Sequence, residues 1–310
     1  MKAVRIHNYG GAEVLKYEEA PMPEMHADDI LIKIAAASVN PVDWKIREGH
    51  MKEGMKINFP FILGLDVSGV VEETGALVTR FAKGDKVYAR ADPSRNGSYA
   101  EYMVVRASEV AFAPDSVPLN FAAAVPLAAQ TAWAGLFEQG NLYEGQTVLI
   151  HGAAGGVGSF AVQFARIAGA HVIATTSTKN KDFVRALGAE EVIDYTKEDF
   201  SKMVKNADLV LDTIGGETQK KSWGVTRKGG TLVSTVGADQ KAAEQHGVQA
   251  KSFMVNSNGA RLQEISGLID DNKVKVIIEK EFVLKDIKEA HKLSEAGHVR
   301  GKIIINVNAG

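Results

Sequence analysis

The chain has 310 residues, with 36 lysines and arginines against 38 aspartates and glutamates, and no cysteine. The net charge of −2 gives no general attraction to nucleic acid or to an acidic membrane. The missing cysteines exclude disulfides, thiolate zinc sites, iron–sulfur clusters and a thiol nucleophile.

A composition of 45% hydrophobic and 24% charged residues is that of a globular protein. The length suits roughly two domains. The polar start, Met1 to Asn8, leads into no signal peptide, and a cysteine-free chain fits a reducing compartment, so a cytoplasmic protein is expected. One stretch, Phe121 to Phe137, looks membrane-like. It contains Pro126, Gln130 and Thr131 and is barely long enough to span, so a buried helix and no membrane span are expected.

The first third predicts short strands rich in Val, Ile and Tyr over Lys2–His7, Asp29–Ala37, Asp66–Glu73, Asp85–Arg90 and Ser98–Val105. Turn residues bound them, which suggests a barrel or sandwich. Near Asn120 the pattern changes, and strands begin to alternate with helices. Strands are predicted over Thr147–His151, His171–Thr176, Glu191–Asp194, Ala207–Asp212, Gly230–Thr235 and Gln249–Met254. Six strands with helices between them point to an open parallel sheet. The tail returns to the first style, with helices over Arg261–Asp271 and Asp286–Ala296 and strands over Val274–Ile278, Phe282–Val283 and Lys302–Val307. A discontinuous first domain with a nucleotide domain inserted in it is the economical reading. A cleft between such domains is a usual place for a small-molecule site.

The segment His151-Gly152-Ala153-Ala154-Gly155-Gly156-Val157-Gly158 follows a strand and opens a helix with one apolar face. Helix N-termini carry unpaired N–H groups and partial positive charge, and small residues let the backbone approach a pyrophosphate. The glycines are spaced differently from a plain GxGxxG, but strand before and helix after favour a dinucleotide site over a bare turn. In NAD sites an acid about 20 residues past the glycines holds the ribose 2′-OH. Here the second strand runs out as Thr175-Thr176-Ser177-Thr178-Lys179-Asn180-Lys181, and the first acid is Asp182. A 2′-phosphate wants cations and hydroxyl donors and is repelled by a carboxylate, so NADP(H) is the expected cofactor.

Several further segments fall in a telling order. They are Asn40-Pro41-Val42-Asp43, Leu63-Gly64-Leu65-Asp66-Val67-Ser68-Gly69, Phe81-Ala82-Lys83-Gly84-Asp85, Ala129-Gln130-Thr131-Ala132-Trp133, Asp212-Thr213-Ile214-Gly215-Gly216 and Gly297-His298-Val299-Arg300-Gly301-Lys302. With the glycine loop they make the chain resemble, over essentially its whole length, a zinc-free member of the medium-chain dehydrogenase/reductase superfamily, in its quinone oxidoreductase branch. The resemblance implies an α/β fold: a Rossmann doubly wound parallel sheet, residues 121–255, inserted in a GroES-like β-rich domain, residues 1–120 plus 256–310. It implies that Ala154, Gly155, Gly156, Val157 and Gly158 hold the cofactor's phosphates and that Ser177, Lys181 and Tyr195 surround its 2′-phosphate. Asn40, Thr131 and Val236 match positions near the nicotinamide. A homodimer joined through the last strand of the Rossmann sheet is also implied.

The zinc-dependent branch has Cys near the position of Asn40, Gly-His-Glu where this chain has Gly64-Leu65-Asp66, and a four-cysteine lobe. None of these metal donors is present, and the eight histidines are scattered, so no metal is expected. Without a Lewis acid, alcohol oxidation is disfavoured. Hydride transfer to an acceptor that is already electrophilic, a quinone or an α,β-unsaturated carbonyl, needs only positioning and stabilisation of developing negative charge. Asp43 and Lys45 lie in the right stretch to polarise a substrate oxygen, or else form a surface charge pair; no catalytic residue is assigned. The Met- and Phe-rich stretch Gly49–Phe61 suits an adaptable substrate pocket or plain core packing. Two alternatives are a sensing or structural NADPH-binding protein with little turnover and an enoyl-thioester reductase.

Overall fold

The structure is a computed structural model that describes Met1 to Val307. Runs rich in Val, Ile and Ala build most of the first eight strands, the third and fifth being largely buried, whereas the second, Lys-Tyr-Glu-Glu, lies exposed. The eight are β1 (Lys2–Ile6), β2 (Lys16–Glu19), β3 (Asp29–Val39), β4 (Phe61–Ile62), β5 (Asp66–Thr74), β6 (Lys86–Arg90), β7 (Tyr102–Arg106) and β8 (Val110–Phe112). Helix α1 (Pro41–Arg47) follows β3, with Pro41 at the position where a proline costs nothing. The expected strand over Ser98–Val105 is confined to Tyr102–Arg106, because Ser98 and Tyr99 bond instead to the backbone of Gly64 and Leu63.

The apolar stretch 121–137 is not one helix. It breaks into α2 (Leu119–Ala122), α3 (Pro126–Trp133) and a π-helical turn, Ala134–Gln139. Pro126 has no N–H to continue α2, so it starts α3 instead. Among the described residues no helix is long and apolar enough to cross a membrane.

Six parallel strands follow: β9 (Thr147–Ile150), β10 (His171–Thr176), β11 (Glu191–Asp194), β12 (Ala207–Asp212), β13 (Thr226–Ser234) and β14 (Gln249–Ser252). They alternate with α4 (Gly156–Ile167), α5 (Lys181–Leu187), α6 (Phe200–Met203), α7 (Gly216–Ser222) and α8 (Gln240–His246). The sheet order is β11-β10-β9-β12-β13-β14. The order reverses between β9 and β12, and ligands of such sheets bind at that switch, beyond the carboxyl ends of the strands. Leu149, Ile173, Ile193, Val210 and Leu232 form its core.

The chain ends with α9 (Gly259–Asp270), β15 (Ile278–Val283), α10 (Ile287–Glu295) and β16 (Lys302–Asn306). The two short strands expected between Val274 and Val283 are one strand, β15. It is an edge strand with Glu279, Lys280 and Glu281 exposed, so its pattern gives no apolar alternation. β15, β16, β3, β5, β6 and β8 run side by side in one sheet, with β7 also on β3, and β2, β1 and β4 form a smaller one.

Two units result: Met1–Leu127 with the chain from Ser257 onward, and Ala128–Asn256. The first passage lies beyond the change of pattern near Asn120, because α2 packs on β3 and β5. The fold class is the expected one, a doubly wound Rossmann sheet whose stretch of chain interrupts that of a β-rich unit.

Candidate cofactor site and a closed polar cluster

In the second unit, β9 ends at Ile150 and α4 begins at Gly156, with Gly155 as its cap. Gly152 sits at φ +67°, where a side chain is strained, and a Cβ there would come 2.6 Å from Thr213 Oγ1. A Cβ on Gly158 would come 2.2 Å from the Gly152 carbonyl oxygen, so loop and helix touch at a distance only glycine allows. Gly155 differs: a Cβ there meets nothing nearer than 3.3 Å. Its lack of a side chain leaves the first-turn N–H groups of α4 uncapped, beside a backbone that can be approached closely. Ala154 to Gly158 therefore form a cradle that fits a pyrophosphate.

The strand ends around this cradle are cross-linked. His151 is buried, with Nδ1 2.9 Å from Thr175 Oγ1 and Nε2 2.9 Å from Ser222 Oγ. Burial holds its imidazole down, to about 4, against the pull of Asp212, so the ring is neutral near pH 7. Thr213 Oγ1 donates to the His151 carbonyl at 2.9 Å. Buried Asp212 accepts from the N–H groups of Ile214 and Gly215, from Gln219 Nε2 and from Ser234 Oγ. It ties the ends of β12 and β13 together. Val236 lies just past β13, half exposed, with its N–H on Ser234 Oγ at 3.2 Å.

Ser177 follows β10, and no acid stands there. Asn180 Nδ2 donates to Ser177 Oγ at 3.3 Å. Tyr195 follows the neighbouring β11 and is 55% exposed, with its N–H on the Thr176 carbonyl at 3.1 Å. Lys181 begins α5, its Nζ 3.6 Å from Glu198 Oε2. The loop and the residues Ser177, Lys181, Tyr195 and Val236 thus stand at the carboxyl edge of one sheet. Thr131 lies apart from them in the chain, on α3, and is nearly buried.

Asn40 lies in the first unit and is buried. Its Nδ2 donates to Asp66 Oδ2 at 2.8 Å, and its Oδ1 accepts from Lys302 Nζ. Lys302, only 4% exposed, also donates to the Val39 carbonyl and lies 3.4 Å from Asp66 Oδ2. Asp66 accepts further from Ser38 Oγ and from the Leu127 N–H. Asp43 is not half of a surface pair, as the alternative above allowed. It is fully buried, with Oδ2 taking the Asn40 N–H at 2.7 Å and the Tyr99 hydroxyl at 3.0 Å. Burial pushes its carboxyl up to about 7 against the Asn40 bond, and Asp66 adds to the rise. Lys45 instead stands over the Trp44 ring. Tyr99 passes the network on to His291, whose Nδ1 is 3.1 Å from Arg47 Nη1. Burial and Arg47 hold His291 down, to about 3. From the Gly49–Phe61 stretch, Met51, Met55 and Ile57 pack against the core of this unit.

Sequence reasoning missed His151, His291, Asp212 and Lys302. Lys302 closes the last quoted segment, but its partners are 236 and 262 residues away.

Residues 26–115 match the model of the alcohol dehydrogenase GroES-like domain, and residues 187–305 match that of zinc-binding dehydrogenases. The donor set here does not fit the metal of the second description. Leu65 offers no lone pair, there is no cysteine, and the Asp66 carboxylate is already met by a lysine ammonium. The chain is 37% identical, over 99% of its length and 79% of the relative's, to a 2-methylene-furan-3-one reductase of Solanum lycopersicum. It is 36% identical, over 98% of its length and 79% of the relative's, to the chloroplastic NADPH-dependent alkenal/one oxidoreductase of Arabidopsis thaliana. The structure of the quinone oxidoreductase from Coxiella burnetii superposes with a TM-score of 0.93 at 36% identity, covering 99% of each chain.

Proposed function

The chain belongs to the zinc-free, quinone oxidoreductase-like branch of the medium-chain dehydrogenase/reductase superfamily, and on that premise we propose that it is an NADPH-dependent oxidoreductase that reduces a quinone or an α,β-unsaturated carbonyl. The observation that carries the reading is the glycine-capped start of α4 at the switch point, beside a second strand that ends without an acid.

When bound, the nicotinamide cofactor supplies the hydride. Ala154, Gly155, Gly156, Val157 and Gly158 hold its pyrophosphate through backbone N–H groups and close approach. Ser177, Lys181 and Tyr195 take the 2′-phosphate through a hydroxyl, an ammonium and a phenol. Thr131 and Val236 are the candidates for the nicotinamide end within the second unit, and Asn40 is the candidate from the first. Asn40 is held by Asp66 and Lys302, so its amide is fixed before any ligand arrives.

The test is NADPH consumption by the purified chain with a chelator present, against a panel of quinones and of enones. Absorbance falls with members of the panel if the reading is right. Tight NADPH binding with no member consumed overturns it and favours a sensing role.

A homodimer is part of the proposal. β14 is an edge strand of its sheet, which supports pairing across a two-fold axis. The strand is polar, Gln249-Ala250-Lys251-Ser252, so an apolar seam along it is not part of the support. Light scattering that gives a monomer at micromolar concentration overturns the dimer. The cytoplasm suits a chain without cysteine, whereas the Arabidopsis relative is named for the chloroplast; cell fractionation decides the compartment.

A further inference from the structure

We propose that Glu198 is a specificity-determining residue: a fixed counter-charge on Lys181 that limits how far the pocket prefers a 2′-phosphate over a free ribose hydroxyl. The proposal rests on the cofactor reading above.

Glu198 Oε2 lies 3.6 Å from Lys181 Nζ. It is not a loose surface partner. The same oxygen accepts from the Asp194 N–H at 2.7 Å, and the Glu198 N–H donates to the Asp194 carbonyl at 2.8 Å. Asp194 is fixed in turn. Its carboxylate accepts from the hydroxyls of Thr178 and Thr196 and from the Thr196 N–H, and the two hydroxyls hold it well down, at about 2. Thr178 is next to Ser177, and Tyr195 is next to Asp194. One bonded turn therefore carries Tyr195, anchors the segment of Ser177, and plants a carboxylate beside Lys181.

The two carboxylates of this turn play different parts. Asp194 has spent its oxygens on neighbouring hydroxyls and is buried. Glu198 is partly exposed and faces the cation that a phosphate needs. A 2′-phosphate brings about −1.5 to −2 charges close to Glu198, within the screening length of about 8 Å at physiological salt. A ribose hydroxyl brings none. The penalty falls on the phosphorylated cofactor alone. This is the reverse of the familiar acid at the end of the second strand, which accepts the ribose hydroxyls.

The experiment titrates the full chain with NADPH and with NADH, by protein fluorescence, at low and high salt. E198Q keeps an oxygen for the Asp194 N–H and removes only the charge. Its dissociation constant for NADPH is expected to fall about three- to tenfold, with that for NADH unchanged and the gain shrinking at high salt. An equal shift for both cofactors, a loss for NADPH, a loss for NADH, or no change overturns the proposal. K181M separates the proposal from its premise. It is expected to weaken NADPH about tenfold and spare NADH. If K181M moves both equally, the 2′-phosphate reading falls and this proposal with it. If K181M behaves as expected while E198Q leaves the ratio of the two constants unmoved, the proposal alone falls.

Discussion

The glycine loop and the Asn40 cluster are two polar centres of this molecule built on opposite plans. At the start of α4 the donors are backbone N–H groups with no side chain to cap them, and the surrounding side chains are absent or small. Around Asn40 a carboxylate, an amide, an ammonium and a phenol satisfy one another out of reach of water. The first is the candidate site because its pairing is incomplete. The second is a brace because its pairing is nearly complete. Titratable groups crowd the second and are scarce in the first, so a search by charge alone finds the brace.

The contrast breaks most readily at Lys302. Lys302→Met leaves Asp66 buried with its amide and hydroxyl donors but without its paired ammonium, Arg90 on the neighbouring strand being the cation that remains nearby. The first unit is expected to lose about 3–5 kcal/mol, read as the urea midpoint. A loss below about 1 kcal/mol means that the ammonium is not what closes the cluster.

The open side is sharpened by two glycines three residues apart. Gly158→Ala puts a methyl against the Gly152 carbonyl, and about 3 kcal/mol of stability is expected to go. Gly155→Ala brings its methyl to 3.3 Å from the same carbonyl, a tight contact rather than an overlap, and is expected to cost under about 1 kcal/mol, while NADPH affinity falls about tenfold as the methyl enters the phosphate's approach. Equal effects on folding and binding for the two variants contradict an open cradle.

The smallest effect is with pH. His151 has its folded pKa below the unfolded value of about 6.5, so the unfolded chain takes up the proton first and the second unit loses stability as pH falls from about 6.5 to 4. His291 acts in the same direction in the first unit. Asp43, raised to about 7, acts oppositely: its contribution is present below the ordinary carboxylate range and is lost as pH rises through 7. Between pH 7 and 5 His151 should therefore weaken the second unit, with His171, held up by its bonds to Glu190 and Glu191, offsetting part of that loss, while in the first unit Asp43 offsets His291. Hydrogen exchange at the two pH values resolves the units, and His151→Gln should flatten the second unit's slope.

The second unit was the more legible half. Its strands are short apolar runs, each closed by a turn residue, and its site is a contiguous loop, so both are local in sequence. The first unit hides more. Asp43 reads as a surface acid two residues past Pro41, and only Tyr99 and the Asn40 N–H make it a buried one. Lys302 reads as the polar first residue of a strand, and its role depends on residues brought up by β3 and β5. β15 is polar over its consecutive Glu279, Lys280 and Glu281, and Pro126 divides an apolar run that hydropathy joins. Cofactor choice was legible as an absence at the end of β10; the counter-charge on Lys181 was not, because Glu198 reaches it from the turn after a different strand.

Lys302 also makes the first unit a clock. Its amine lies behind the seam where β16 pairs with β3, and it cannot meet an acylating reagent until that seam parts. Most lysines of the chain stand in water and react at once. The slow fraction, followed by peptide mass, counts how often the strands separate, and its rate converts to the free energy of that opening without a denaturant.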